Sequence, residues 1–289
     1  MEAINRQTWK QRMASYKRTP LSFLLLVLVT ASALFTVCIL AFLLIYILVK
    51  GIPYLTPSLF AWEYNSENVS LMPALINTIL MTALSLVIAV PLGIFAAIYL
   101  VEYARRGNKI VEIVRITAET LTGIPSIVYG LFGFLLFGVA LKWGYSMLGG
   151  ALTLAIMILP TIIGVVEPAL RAVPKSDYEG ALALGATHER SVYTAVVPAA
   201  KSGILAGIVL GVGRAMGETM AVIMVAGNQP RMPKGILQGV RTLTGNIVIE
   251  MGYATGLHRE ALIATGVVLF VFILLINLCF SALKRGKKA

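Results

Sequence analysis

Positions 21–49 contain no charged side chain, and neither do 74–101, 148–166 or 261–283. A helix that crosses a bilayer needs about 20 mostly apolar residues, and a soluble domain of this size has no use for four such runs. Two further runs, 117–141 and 202–226, are apolar but interrupted. Glu119 and the string TGIPS at 122–126 interrupt the first, and Arg214 and Glu218 the second. Lipid offers the backbone no hydrogen-bond partners, so long apolar runs of this kind read as helices. The expectation is an all-α membrane protein with six transmembrane helices.

The first run is too long for the core of a cleaved signal peptide. A basic tail with Arg6, Lys10, Arg12, Lys17 and Arg18 precedes it, so it reads as a retained anchor. Six spans put both termini on one side. That side also receives Arg105, Arg106, Lys109 and Arg115, then Arg171, Lys175, Arg190 and Lys201, and finally Lys284, Arg285, Lys287 and Lys288. Lysine and arginine collect in cytoplasmic loops, so both termini are expected in the cytoplasm. The net charge of +11 is therefore read as membrane orientation, with no nucleic-acid partner. A hydrophobic content of 58% with 13% charged residues agrees, since soluble domains carry about 25% charged residues. The organisation expected is a basic tail at 1–20, an anchor and outer loop at 21–73, and a core of five spans at 74–283. A basic tail at 284–289 closes the chain.

Segment 226–260 departs from the charge rule, with Arg231, Lys234, Arg241 and Arg259 on the outer face. They meet an anionic partner or are simply solvated. The stretch ILQGVRTLTGNIVIEMG either dips into the bundle or lies along its surface. In the outer loop 51–73, Tyr54, Trp62 and Tyr64 suit the headgroup level. Cys38 and Cys279 lie inside apolar runs and read as small hydrophobes, so neither a disulfide nor a metal site is expected. There is no G-x-x-x-x-G-K-[ST] string to cradle ATP, and His188 and His258 lie in loops on opposite sides. Nothing here argues for an enzyme.

The segment 174–198 reads PKSDYEGALALGATHERSVYTAVVP. Ser176 and Asp177 suit a helix N-cap, and Gly185 suits the end of a first short helix. A second is expected to run to Pro198. The spacing Glu179-Gly180-Ala181, three residues, Gly185, nine residues, Ala195-Val196-Val197-Pro198 resembles the loop signature of binding-protein-dependent ABC importer permeases. Gly180, Ala195 and Val197 depart from that pattern by small or apolar exchanges. The resemblance implies the type I importer permease fold, with Glu179, Gly180, Ala181, Gly185 and Pro198 in the loop that couples to an ATPase. The strings GIPYLTPSLF, PLGIFAAIYLVEYARRGNK, GIPSIVYGLFG and GRAMGETMAV further resemble the phosphate-specific permeases, which come as paired A-type and C-type subunits. The first-half strings are nearer the A-type, while GRAMGETMAVIMVAGN and GLHREAL have C-type character; the A-type is favoured over the C-type. This likeness implies phosphate import across the inner membrane of a prokaryote. It also implies a second homologous permease subunit, an ATPase dimer that binds the ATP, and an extracytoplasmic phosphate-binding protein. No cofactor is implied in this chain. A permease for sulfate or molybdate, or a free-standing secondary transporter, is the alternative.

Arg214 and Glu218 stand out on chemical grounds. An arginine facing lipid costs from about 3 to more than 10 kcal/mol, so Arg214 must face protein or water. Four residues apart on a helix, it and Glu218 share a face and can pair. Either the two only lock helices together, or Arg214 lines a route for an oxyanion with Glu218 as its partner. The hydroxyls of Thr122 and Ser126, at the Pro125 break, are further pathway candidates. Gly203, Gly207 and Gly211 form a small-residue row that invites a close helix neighbour, with Gly213 and Gly217 as a second pair.

Overall fold

The computed structural model describes residues 20–105 and 107–285, and those residues form helices and loops without strands. The chain divides into two compact units, Met1–Lys50 and Gly51–Ala289. The first contributes one continuous helix, α1 (Pro20–Gly51), with exposed apolar side chains along its length. The basic tails at 1–19 and 286–289 lie outside the described residues.

The second unit begins with two 3-10 turns and then α2 (Met72–Ile98), which starts on Pro73 and runs on as a wider π turn to Tyr103. Proline suits that first position because its missing N–H has no partner there anyway. Next come α3 (Lys109–Thr122) and α4 (Ser126–Gly133), the latter continued by a π segment to Ala140. Helix α5 (Met147–Arg171) leads to the short α6 (Lys175–Ala183) and α7 (His188–Ser191). Then follow α8 (Lys201–Gly217), α9 (Met220–Ala226), α10 (Leu243–Glu250) and α11 (Gly256–Arg285). Among the described residues four helices are long and apolar enough to cross a membrane, α1, α2, α5 and α11. The number rises to six if each of two bent pairs counts as one span.

The expected third span is one of the bent pairs. Helices α3 and α4 meet at 103°, far beyond a proline kink. Pro125 cannot donate to the Leu121 carbonyl four residues earlier. The hydroxyl of Tyr129 donates to that carbonyl instead, at 2.9 Å, alongside a longer bond from Ile124 N at 3.3 Å, so it is not left bare.

Helix α5 is the centre of the bundle: 61% of its apolar window is buried, against 33% for α2 and 22% for α11. It packs against α2 on one side and α8 on the other. The glycine row makes the second contact possible. A Cβ on Gly207 would meet Val166 Cγ2 at 2.9 Å, one on Gly211 would meet Ile158 Cγ2 at 3.0 Å, and one on Gly203 would collide with Ala169. Replacing Gly207 with Leu should therefore push α8 off α5 and lower the thermal midpoint of the detergent-solubilised protein. Overpacking of this kind costs about 1–3 kcal/mol. An unchanged midpoint would show that the two helices do not rely on this approach.

The segment 226–260 folds into the bundle. Thr242 caps α10 by accepting from Gly245 N, and Leu243 is wholly buried. Asn77 of α2 donates to the carbonyls of Arg231 and Arg241, at 3.0 and 3.1 Å, and Thr78 accepts from Leu243 N at 2.9 Å. Arg241 therefore meets neither solvent nor an external partner. It pairs with Glu250 at 2.8 Å, donates to Asn246 at 2.9 Å, and lies over the ring of Tyr64 at 5.5 Å. Tyr64, expected at the headgroup level, is a wall of that pocket. His258 Nε2 lies 3.7 Å from the second oxygen of Glu250. Burial, followed by a hydrogen bond to Glu250, raises the Tyr253 phenol above its ordinary value.

Candidate functional site

The run 202–226 is not one helix. It breaks after Gly217, because Glu218 takes an extended backbone with ψ 132° and Thr219 lies outside the helical region at φ −123°. Two contacts make the break affordable. The Glu218 carboxylate accepts from Thr219 N at 3.2 Å and weakly from Ala221 N at 3.5 Å, placing negative charge at the start of α9. The Glu218 carbonyl, freed from the helix ladder, accepts from the Thr244 hydroxyl of α10 at 3.0 Å.

This geometry changes the pairing read from the sequence. On a continuous helix Arg214 and Glu218 would share a face, but here Glu218 has left the helix and no ion pair joins the two. The Arg214 Nε is buried without an acceptor. Its guanidinium lies within electrostatic range of Tyr129, the residue that closes the α3–α4 bend. Arg214 is therefore a cation in an apolar helix with no counter-ion among the described residues. The neighbouring Gly213 and Gly217 have open space where side chains would stand, so this face of α8 is unfilled by the chain itself.

The remaining pathway candidates divide. Thr122 donates back to the Glu119 carbonyl at 2.6 Å and lines a cavity with Arg115, Gly164 and Glu167. It does not meet Arg214. Ser126 opens α4, half-buried, immediately beyond the bend. Sequence reasoning missed Tyr129, although a phenol one turn beyond a proline that strands a carbonyl is a readable signal. It also missed Thr244, whose partner is 26 residues away. Replacing Tyr129 with Phe should leave the Leu121 carbonyl with only its longer bond, from Ile124 N at 3.3 Å, and cost about 1 kcal/mol. A thermal midpoint equal to that of the unaltered protein would show that the bend does not depend on the phenol.

At the 174–198 end, α6 starts after Pro174, which occupies the N-cap position; no side chain caps it, so Ser176 and Asp177 lie within the first turn. Gly185 reverses the chain at φ +84°, and Thr187 caps α7 by accepting from Arg190 N. The helical path does not stop at Pro198. A π segment covers Val192–Val196, one more turn runs to Ala199, and α8 leaves at a 68° bend. The Tyr178 hydroxyl and His188 Nδ1 are 2.8 Å apart and tie the two short helices together. Val192 and Val196 anchor the hairpin in the core, while Glu179 and Gly180 are exposed and Leu184 is 92% exposed. Fixed at its base, the hairpin presents its tip as a rigid projection.

Residues 89–288 match the family model described as "Binding-protein-dependent transport system inner membrane component". The chain is 35% identical over 273 residues to the probable ABC transporter permease protein YqgH of Bacillus subtilis, covering 86% of this chain and 88% of that one. It is 32% identical over 252 residues to the phosphate transport system permease protein PstC of Mesorhizobium japonicum, covering 78% and 76%. The phosphate permease named here carries the C-type name, whereas the first-half strings pointed to the A-type. Among solved structures, a bacterial ABC transporter involved in the import of the acidic polysaccharide alginate superposes with TM-score 0.69. The identity there is 15%, covering 96% of this chain and all of the matched chain.

Proposed function

The chain belongs to the family of inner-membrane components of binding-protein-dependent transport systems, and on that premise we propose that it carries inorganic phosphate inward through an ATP-driven importer. Its fold is that of the ABC importer permeases. ATP hydrolysis falls to a separate ATPase dimer, and a second homologous permease subunit completes the route. A phosphate-binding protein delivers the anion on the outer side. The 174–198 hairpin and both termini face the cytoplasm, and Glu179, Gly180, Ala181, Gly185 and Pro198 belong to the surface that meets the ATPase.

The observation that carries this reading is the unpaired Arg214. Phosphate near neutral pH bears between one and two negative charges and cannot enter a low-dielectric passage without a cation. A guanidinium stays protonated and offers a planar fork of donors to a tetrahedral oxyanion. Left unpaired inside the bundle, it is costly until an anion reaches it. The open face around Gly213 and Gly217 is where the second subunit and the route between them belong. Glu218 does not neutralise Arg214; it holds the α8–α9 break that sets where Arg214 stands. The relatives named for phosphate favour phosphate over sulfate or molybdate.

The test is to co-express the chain with its neighbouring transport subunits, purify the complex and reconstitute it with the binding protein. ATP should drive accumulation of radiolabelled phosphate, with excess unlabelled sulfate or molybdate competing poorly. Accumulation without ATP, or equal competition by sulfate, would contradict the proposal.

A further inference from the structure

Two cavities meet at one charged cluster beside the 174–198 hairpin. The larger and lower, nearer the hairpin, lies between the end of α2, the start of α3, the end of α5 and α6. The other, upper cavity runs along α3 and α5 as far as Thr122. Arg115 and Arg171 line both. Glu167 bridges them: one of its carboxylate oxygens is 2.7 Å from Arg115 Nε and accepts from Arg171 Nε and Nη2 at 3.1 and 2.9 Å. Arg115 also donates from Nη2 to the Leu100 carbonyl at 3.3 Å.

A carboxylate on a membrane helix needs one cation to settle it. Here it has two, so the cluster holds one positive charge in excess. Several guanidinium N–H groups remain without partners, on side chains 35% and 50% exposed, while the Glu167 side chain is only 12% exposed. The position matters as much as the charge. The upper cavity ends at the α3–α4 bend, where Tyr129 bonds to Leu121 within electrostatic range of Arg214. If the route from Arg214 passes that bend, Arg115 and Arg171 are the cations on its hairpin side. Glu119 in the upper cavity, and Glu102, Glu112 and Glu179 set against Arg105 and Lys175 in the lower, keep the surroundings from becoming a trap. A transit site must be weak enough to release what it takes.

We propose that Arg115 and Arg171, bridged by Glu167, form a second and weaker site for a phosphate-type oxyanion on the hairpin side of the bundle. The ligand is inorganic phosphate in transit or the phosphate of a lipid headgroup, which presents the same oxygens. The proposal rests on the reading that an oxyanion crosses at Arg214.

Gly164 lines the upper cavity and has open space where a side chain would go, which makes it the reporter position. The probe is the rate at which an anionic methanethiosulfonate modifies Gly164→Cys in the assembled complex. Cys38 and Cys279 are replaced by Ser, and Arg214→Gln removes the first site. In nanodiscs of phosphatidylcholine, inorganic phosphate at twice its dissociation constant should slow modification about threefold. Arg115→Gln with Arg171→Gln should abolish the protection, and the corresponding Lys pair should retain much of it. Glu167→Gln should lower the phosphate concentration needed by about five- to tenfold, the effect of removing one nearby charge. If phosphatidylglycerol in the disc slows modification and free phosphate adds nothing, the site stands with the lipid as its ligand. If neither slows it, or if protection survives loss of both arginines, the proposal is overturned. Absent protection alongside uptake that still requires Arg214 ends this inference alone. Intact protection alongside uptake indifferent to Arg214→Gln ends the pathway reading alone.

Discussion

Arg214→Gln should leave the protein folded and assembled with its partner subunits while phosphate uptake collapses. Glutamine keeps most of the length and some donors but removes the charge that meets the oxyanion. Truncating one side of a desolvated charge contact costs about 2–5 kcal/mol, or roughly 30- to several thousand-fold in rate. Because Arg214 makes no ion pair among the described residues, its removal breaks none of them, and stability should hold or rise slightly. That combination separates the two readings of an intramembrane arginine. A residue that only locks helices would lower stability when replaced and affect uptake in proportion. Near-normal uptake by a stable Arg214→Gln complex would remove Arg214 from the route.

Glu250→Gln should have the opposite signature, a large loss of stability that appears in every assay. Arg241 and Glu250 have side chains only 7% exposed, and Arg241 has no other carboxylate within ion-pair distance. Removing one member of a buried pair costs about 3–5 kcal/mol, because the remaining charge stays in a low-dielectric site. The thermal midpoint of the purified protein should fall sharply. Arg241→Met together with Glu250→Leu should recover most of it, since an apolar pair of similar volume avoids the charge altogether. If the single variant melts where the unaltered protein does, α10 is not held in the bundle by this pair.

The long uncharged runs were legible because their signal is local: each is a helix whatever packs beside it. The same holds for the Gly203, Gly207 and Gly211 row, where spacing alone implied a close neighbour and α5 supplied it. The breaks were harder, for a physical reason. Pro125 announced a disruption, but not its size, nor that Tyr129 and Ile124 N would share the Leu121 carbonyl it strands. Nothing between Arg214 and Glu218 marks a helix end with comparable force. Glu218 leaves the helix because Thr244, far along the chain, supplies a donor for its carbonyl. Periodicity reported the pair as neighbours, and tertiary structure separated them. Arg241 taught the same lesson from the other direction. Its charge suggested an exposed outer loop, while its counter-ion nine residues on allowed it to be buried. The hairpin at 174–198 was legible in outline from Gly185 and the flanking prolines. The continuation past Pro198 was not, since it runs through a π segment at Val192–Val196 that no periodicity in the sequence marks.

The most direct test of Arg214 as an oxyanion ligand is an experimental map of the assembled complex held in mid-transport with inorganic phosphate present. The expected map shows a tetrahedral density beside α8, with oxygens about 2.7–2.9 Å from the Arg214 guanidinium, in a water-filled gap between the two permease subunits. A map in which that guanidinium instead donates only to protein carbonyls or carboxylates, sealed between packed helices with no anion and no opening, would contradict it.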